Sequence, residues 1–182
     1  MLLAAVLVVG TLCLIDLLLT FGVIRRLREH TDLLNRRHGA EAASTMLQAG
    51  AQVGDFAAVT TDGSSVARST LTGQTLVAFV SPTCEACLEK LPSLIELAAD
   101  LPGGRSQVLA VVVGTEPATE ALRTRLAPVA QVVVEGRDGP LATAFGVLGF
   151  PAFSVLDPAG VVVASSGELT ALPLSAAVAA TP

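Results

Sequence analysis

The chain has 182 residues, 52% apolar, 15% charged and 3% aromatic, with a formal net charge of −5. That length suits one compact domain with an appendage, large enough to bury a core without a disulfide framework. An acidic chain with no Trp or Tyr lacks both the electrostatic footprint and the stacking platforms of a nucleic-acid binder, so no nucleic-acid partner is expected.

Residues 1–24 (MLLAAVLVVGTLCLIDLLLTFGVI) carry one charged side chain, Asp16. At about 1.5 Å per residue, a helix of that length crosses a hydrocarbon core about 30 Å thick. The basic residues follow the apolar run and no A-x-A stands at its end, so the segment reads as a transmembrane anchor rather than a cleaved leader. A carboxylate near mid-span costs about 2.5–3.5 kcal/mol on insertion scales. Asp16 therefore reads either as a polar contact to another membrane helix or as a protonated acid tolerated by the flanking leucines. Residues 25–52 form a juxtamembrane helix and linker. Leu27, Leu33 and Leu34 fall roughly on one side of RRLREHTDLLNRRH, and small residues fill 39–52. His30 and His38 have no acidic or Cys partner at metal-ligand spacing.

Residues 53–182 form the folded domain. Asp62-Gly63 is a turn between short β-prone runs. Gln74–Val80 and Gln107–Val113 read as buried strands because their apolar residues are continuous, and Gln131–Glu135 is a third strand. Leu88, Leu91, Leu94, Ile95 and Ala98 give Cys84–Ala99 helical spacing. Glu116–Leu126 is expected as a helix capped by Thr115, and Pro140–Phe145 as a short one. Ala152–Leu156 and Val161–Ala164 flank the hairpin turn Asp157-Pro158-Ala159-Gly160, and Leu169–Ala180 is expected to close the domain as a helix. The order β-α-β-α-β-α-β-β-α implies an α/β fold, a mixed sheet covered by helices on both faces.

Three cysteines cannot make a disulfide framework, and Cys13 lies in the apolar run. Cys84 and Cys87 form a C-x-x-C where a buried strand gives way to a helix. A cysteine there feels about half a positive charge from the unpaired amides of the first turn, which lowers its pKa and favours the reactive thiolate. Three-residue spacing puts Cys87 on the same helix face, within reach of a mixed disulfide on Cys84. Pro92 sits inside the helix although an interior proline costs about 3 kcal/mol there. Pro151 enters a strand after Gly149-Phe150 and is a candidate cis bond.

This combination resembles the thioredoxin superfamily, specifically the membrane-anchored TlpA/ResA-like thiol–disulfide oxidoreductases and the methylamine-dehydrogenase accessory MauD. The matching residues are Val53-Gly54-Asp55-Phe56, Asp62-Gly63, Cys84–Cys87, Pro92, Phe145-Gly146-Val147-x-Gly149-Phe150-Pro151 and Leu156-Asp157-x-x-Gly160. The resemblance implies that Cys84 attacks, Cys87 resolves, the two form a redox-active disulfide, and Pro151 is a cis-proline facing them. It implies a protein thiol or disulfide client, and a membrane electron donor as a second partner, with no cofactor and no metal. The chain departs from the family where Val80-Ser81-Pro82-Thr83 replaces the aromatic before the first cysteine, where Glu85-Ala86 fills the inner pair, and where Lys90, beside Glu89, replaces an acid.

A zinc site needs about four ligands, and neither a third Cys nor any His lies beyond position 38. The same absence counts against copper delivery of the SCO type. A peroxiredoxin-type (AhpC/TSA-like) antioxidant peroxidase stays open as an alternative. Its motif places Pro seven and Thr or Ser three residues before the peroxidatic cysteine; those positions are Val77 and Ser81 for Cys84, and Val80 and Cys84 for Cys87, so Ser81 alone fits. A MauD-like maturation accessory for one client also stays open.

The expected location is the cell membrane, single-pass. Arg25, Arg26, Arg28, Arg36 and Arg37 follow the span and place the domain in the cytoplasm by the positive-inside rule. The resemblance places it outside the cytoplasm, where a tethered dithiol keeps client cysteines reduced. Glu85 beside Cys84 opposes thiolate formation and points to a reductant.

Overall fold

The computed structural model describes residues 45–174 and Gly10. The anchor expected over 1–24, the juxtamembrane helix over 25–38, and with them Cys13, Asp16, His30 and His38, lie outside the described residues. Among the described residues no helix is long and apolar enough to cross a membrane.

A small antiparallel hairpin comes first, β1 (Ala57–Val59) and β2 (Ser65–Ala67), with Ala58 opposite Val66. The Asp62-Gly63 turn joins them. Asp62 Oδ1 accepts from Thr60 Oγ1 and from the Ser64 amide. The main sheet has five strands in the order β5-β4-β3-β6-β7: β3 (Thr75–Val80), β4 (Val108–Val113), β5 (Gln131–Glu135), β6 (Ala152–Leu156) and β7 (Val162–Ser166). β3, β4 and β5 are parallel, β6 runs antiparallel to β3, and β7 runs antiparallel to β6. The expected mixed sheet, covered on both faces, is therefore present.

Every residue of β3 and β4 is buried, which is why those runs are apolar without alternation. Leu76, Ala78 and Val80 face one layer, where α1 (Glu85–Asp100) contributes Cys87, Leu91, Leu94 and Ala98, and α2 (Glu120–Leu126) contributes Leu122 and Leu126. The spacing 87, 91, 94, 98 is one helix stripe. Val77 and Phe79 face the other layer, with Leu141 and Ala142 of α3 (Pro140–Ala144), Phe145, and Phe56 and Val66 from the hairpin region. Phe145 meets Phe79 edge-on at 5.2 Å and Phe56 at 5.6 Å.

The structure differs from the sequence reading in three places. Residues 45–52, expected as linker, are packed on the domain: Met46 is 2% exposed, and Gln52 bridges to Val161. The helix expected from Glu116 begins at Glu120 with Thr119 at its N-cap, and Ala118 N–H donates instead to Thr115 O in a turn. Pro117 accounts for this, because a residue preceding proline is pushed out of the helical region. The closing helix Leu169–Ala180 is a single 3-10 turn, Leu169–Ala171, followed by extended Leu172. Pro173 stops it by lacking an N–H and crowding the preceding residue; residues 175–180 lie outside the described residues.

Candidate active site

The C-terminal end of β3 delivers Ser81-Pro82-Thr83 to the start of α1. Cys84 N–H donates to Ser81 O at 3.2 Å, and the Ser81 and Thr83 hydroxyls lie 3.2 Å apart, which tightens the turn. Cys84 is the N-cap of α1, with φ −100° and ψ 107°. Its Sγ accepts from the Cys87 amide at 3.2 Å, and its carbonyl accepts from Cys87 and Leu88. The sulfur thus sits on the unsatisfied amide end of a 16-residue helix, where negative charge is favoured.

Cys84 and Cys87 are joined as a disulfide with Cα atoms 5.2 Å apart. The two sulfurs have different surroundings. Cys84 is half-exposed, whereas Cys87 is 1% exposed and packed in the core layer with Leu91 and Leu94. An incoming sulfur therefore has access to Cys84 and not to Cys87. α1 continues through Pro92. Lys90, one turn beyond Cys87, pairs with Glu168 at 2.9 Å and ties α1 to the segment after β7.

The Phe150–Pro151 bond is cis, as the strand-entry position suggested. β6 pairs with β3 so that Ala152 lies opposite Phe79. Buried Pro151 immediately precedes Ala152, so it lies at the end of the sheet where β3 finishes and the cysteine loop departs. Pro151, distant in the chain from Cys84 and Cys87, thus shares their end of the sheet.

Two neighbours at this edge were not legible in the sequence. Gly114, at the end of β4, allows the Gly114–Thr119 loop to lie against the cysteine loop; a Cβ there would stand 3.3 Å from Pro82 Cγ and Cδ and 3.0 Å from Thr119 Cγ2. Arg137, between β5 and α3, lies over the Phe150 ring, 5.4 Å from its centroid. Glu135 ends β5 and caps α3, accepting from Leu141 N–H at 3.1 Å and Ala142 N–H at 2.7 Å. Burial pushes its pKa up, and the two amides pull the other way. Among the described residues no three His, Cys, Asp or Glu side chains are grouped to hold a metal ion.

The sequence profile of the AhpC/TSA family matches residues 49–165, which include the whole of this edge. The chain belongs to the AhpC/TSA family. No protein of curated function matches it in sequence. Among solved structures, a thiol:disulfide interchange protein from Bacteroides sp. is 20% identical with a TM-score of 0.53, over 65% of this chain and 81% of that one. A thio-disulfide isomerase from Thermus thermophilus is 26% identical with a TM-score of 0.50, over 66% and 86%. A secreted Mycobacterium tuberculosis disulfide oxidoreductase is 21% identical with a TM-score of 0.50, over 63% and 84%. This AhpC/TSA member therefore has the fold of the thioredoxin superfamily, as the motif resemblance implied.

Proposed function

We propose that this protein is a membrane-tethered protein thiol–disulfide oxidoreductase that reduces its clients through Cys84 and Cys87. The observation that carries the reading is the asymmetric pair: a half-exposed Cys84 capping a helix, bonded to a buried Cys87. The similarity to a thio-disulfide isomerase at 26% identity supports the same chemistry.

In the reduced state the Cys84 thiolate attacks a client disulfide. A Cys84–client S–S bond forms, the client S–S bond breaks, and one client sulfur leaves as a thiolate that takes a proton from water. Cys87 then gives up its proton to water and attacks Cys84 Sγ. The mixed disulfide breaks, the second client sulfur leaves and is protonated, and Cys84–Cys87 closes. The client has gained two electrons and two protons. By family resemblance Pro151 faces the pair. Exposed Glu85, next to Cys84, opposes the thiolate, so the reduced state is less stabilised and the couple is reducing: a potential nearer about −270 than about −120 mV is expected.

The tether is the apolar run 1–24, with 25–38 as the juxtamembrane helix and a membrane donor restoring the dithiol. We place the domain outside the cytoplasm, where a tethered reductant has a use that soluble thiols do not already serve. Cysteine labelling of intact cells checks the side; labelling of Cys84 only after permeabilisation would reverse it.

The family match favours one second reading, peroxide reduction. With Val77 where that chemistry needs proline, it is the weaker fit. Reductant-driven insulin reduction that disappears in Cys84→Ser supports the oxidoreductase, whereas fast peroxide-dependent oxidation of the dithiol would replace it. A mixed disulfide trapped in Cys87→Ser counts the clients, and one partner alone would make the chain a dedicated maturation accessory.

A further inference from the structure

The edge that carries the dithiol also carries an arginine with no carboxylate of its own. Among the described residues Arg68, Lys90, Arg105 and Arg123 each form an ion pair, and Arg125 and Arg137 do not. Arg125 is on the last turn of α2, toward the opposite edge. Arg137 is exposed and held by the ring of Phe150, the residue immediately before Pro151. Phe150 packs against both core layers, including the one that contains Cys84 and Cys87, so the guanidinium rests on a fixed platform. Arginine stacked on a ring is already ordered and loses less freedom when it pairs with an incoming carboxylate.

The rest of the edge sets the chemistry of what binds there. Leu148, two residues before Phe150, is 79% exposed, and Leu88, one turn after Cys84, is 45% exposed. Glu85, next to Cys84, and Glu116, in the loop after β4, are exposed without an ion pair, so acidic side chains flank the cysteine side, while the Phe150–Pro151 side holds Arg137, with exposed Asp138 the next residue in the chain. Such a surface treats the two flanks of a client cysteine differently.

We propose that Arg137 is a specificity-determining residue, reading a carboxylate on one flank of the client's reactive cysteine, the flank lying along Phe150–Pro151. The inference rests on the oxidoreductase reading and names its substrate class: protein segments with a disulfide-bonded cysteine, apolar neighbours for Leu88 and Leu148, and an acid on that flank. An acid on the other flank meets Glu85 and is disfavoured.

The test uses the reduced full-length protein in detergent and short peptide disulfides with Asp, Asn or Lys placed two residues before or two residues after the cysteine. We expect Asp to exceed Lys in exchange rate by about three- to five-fold at one flank only, the size of an exposed ion pair, and the ratio to fall toward one in high salt. Arg137→Gln should remove that ratio and Arg137→Lys should keep part of it, while Arg125→Gln leaves it intact. Equal rates for all three at both flanks, or a preference that survives in Arg137→Gln, overturns the inference and leaves the dithiol chemistry standing. No exchange even with the Asn peptides would overturn the oxidoreductase reading as well.

Discussion

The two edges of the sheet are built differently. At the edge where β4 and β5 begin, polar groups are matched. Arg105 Nε donates to Ala127 O and its guanidinium pairs with Asp62, Gln131 donates to Ser106 O, and the Gly103 amide donates to Gln107. At the edge where β3 and β4 end, Cys84 is half-exposed, Leu148 stands in solvent, and Arg137 has only a ring beneath it. The contrast teaches where stability and reactivity reside. Polar groups that pair with one another stabilise the fold, whereas the exposed groups of the working edge are held up by the core behind them.

If that division holds, changes at the working edge move rates and changes at the matched edge move stability. The largest effect is expected from Cys84→Ser, which should remove disulfide reduction altogether while the circular dichroism spectrum stays that of the native fold. Retained insulin reduction would mean that the helix-capping sulfur is not the attacker. Next comes Gly114→Ala. Its Cβ would meet Thr119 Cγ2 at 3.0 Å and Pro82 at 3.3 Å, so we expect about 1–3 kcal/mol of destabilisation and slower exchange as the cysteine loop shifts. A denaturant titration and a stopped-flow exchange assay separate the two readouts, and a variant slowed in neither places the Pro82 contact outside the chemistry.

Glu135→Ala is a sharper trial, because this residue lies at the working edge yet serves α3. Removing the acceptor of two amides should cost about 1–2 kcal/mol with little change in exchange rate. A large rate loss at preserved stability would bring Glu135 into the site. The smallest effect is expected at Asp62. Hydrogen bonds from Thr60, then Arg105, then Ser64 hold its carboxyl well below the usual range. Its folded pKa is depressed, so the stabilisation is complete above about pH 4 and is lost as pH falls below that. The Tm of wild type should exceed that of Asp62→Asn at neutral pH, with the gap closing under acid; a gap independent of pH would show that charge is not what Asp62 contributes.

Much of the fold was legible because its signals are local. β3 and β4 announce themselves as unbroken apolar runs, since parallel inner strands are covered on both faces. The α1 stripe follows from one-turn spacing, and the β6–β7 turn from Asp157, whose Oδ1 accepts from Ala159 and Val161 amides, with Gly160 at φ +79°. Two of the misread elements share a cause. Pro117 and Pro173 lie in stretches of helical composition, and apolar periodicity carries no account of a missing N–H. Residues 45–52 looked like linker because small residues mark linkers, yet burial of Met46 depends on a surface assembled from β7 and Phe145.

For the working edge, the sequence by itself determined the dithiol. Two cysteines three apart at a strand–helix junction specify a thiol pair on one helix face, under the field of the first turn, wherever the fold places it. Only the tertiary structure decided which sulfur faces solvent, that Pro151 reaches the same edge 67 residues after Cys84, and that Arg137 comes to lie on Phe150. Those depend on the register between β3 and β6 and on packing across the layers, relations set by the whole core and carried by no window of the chain.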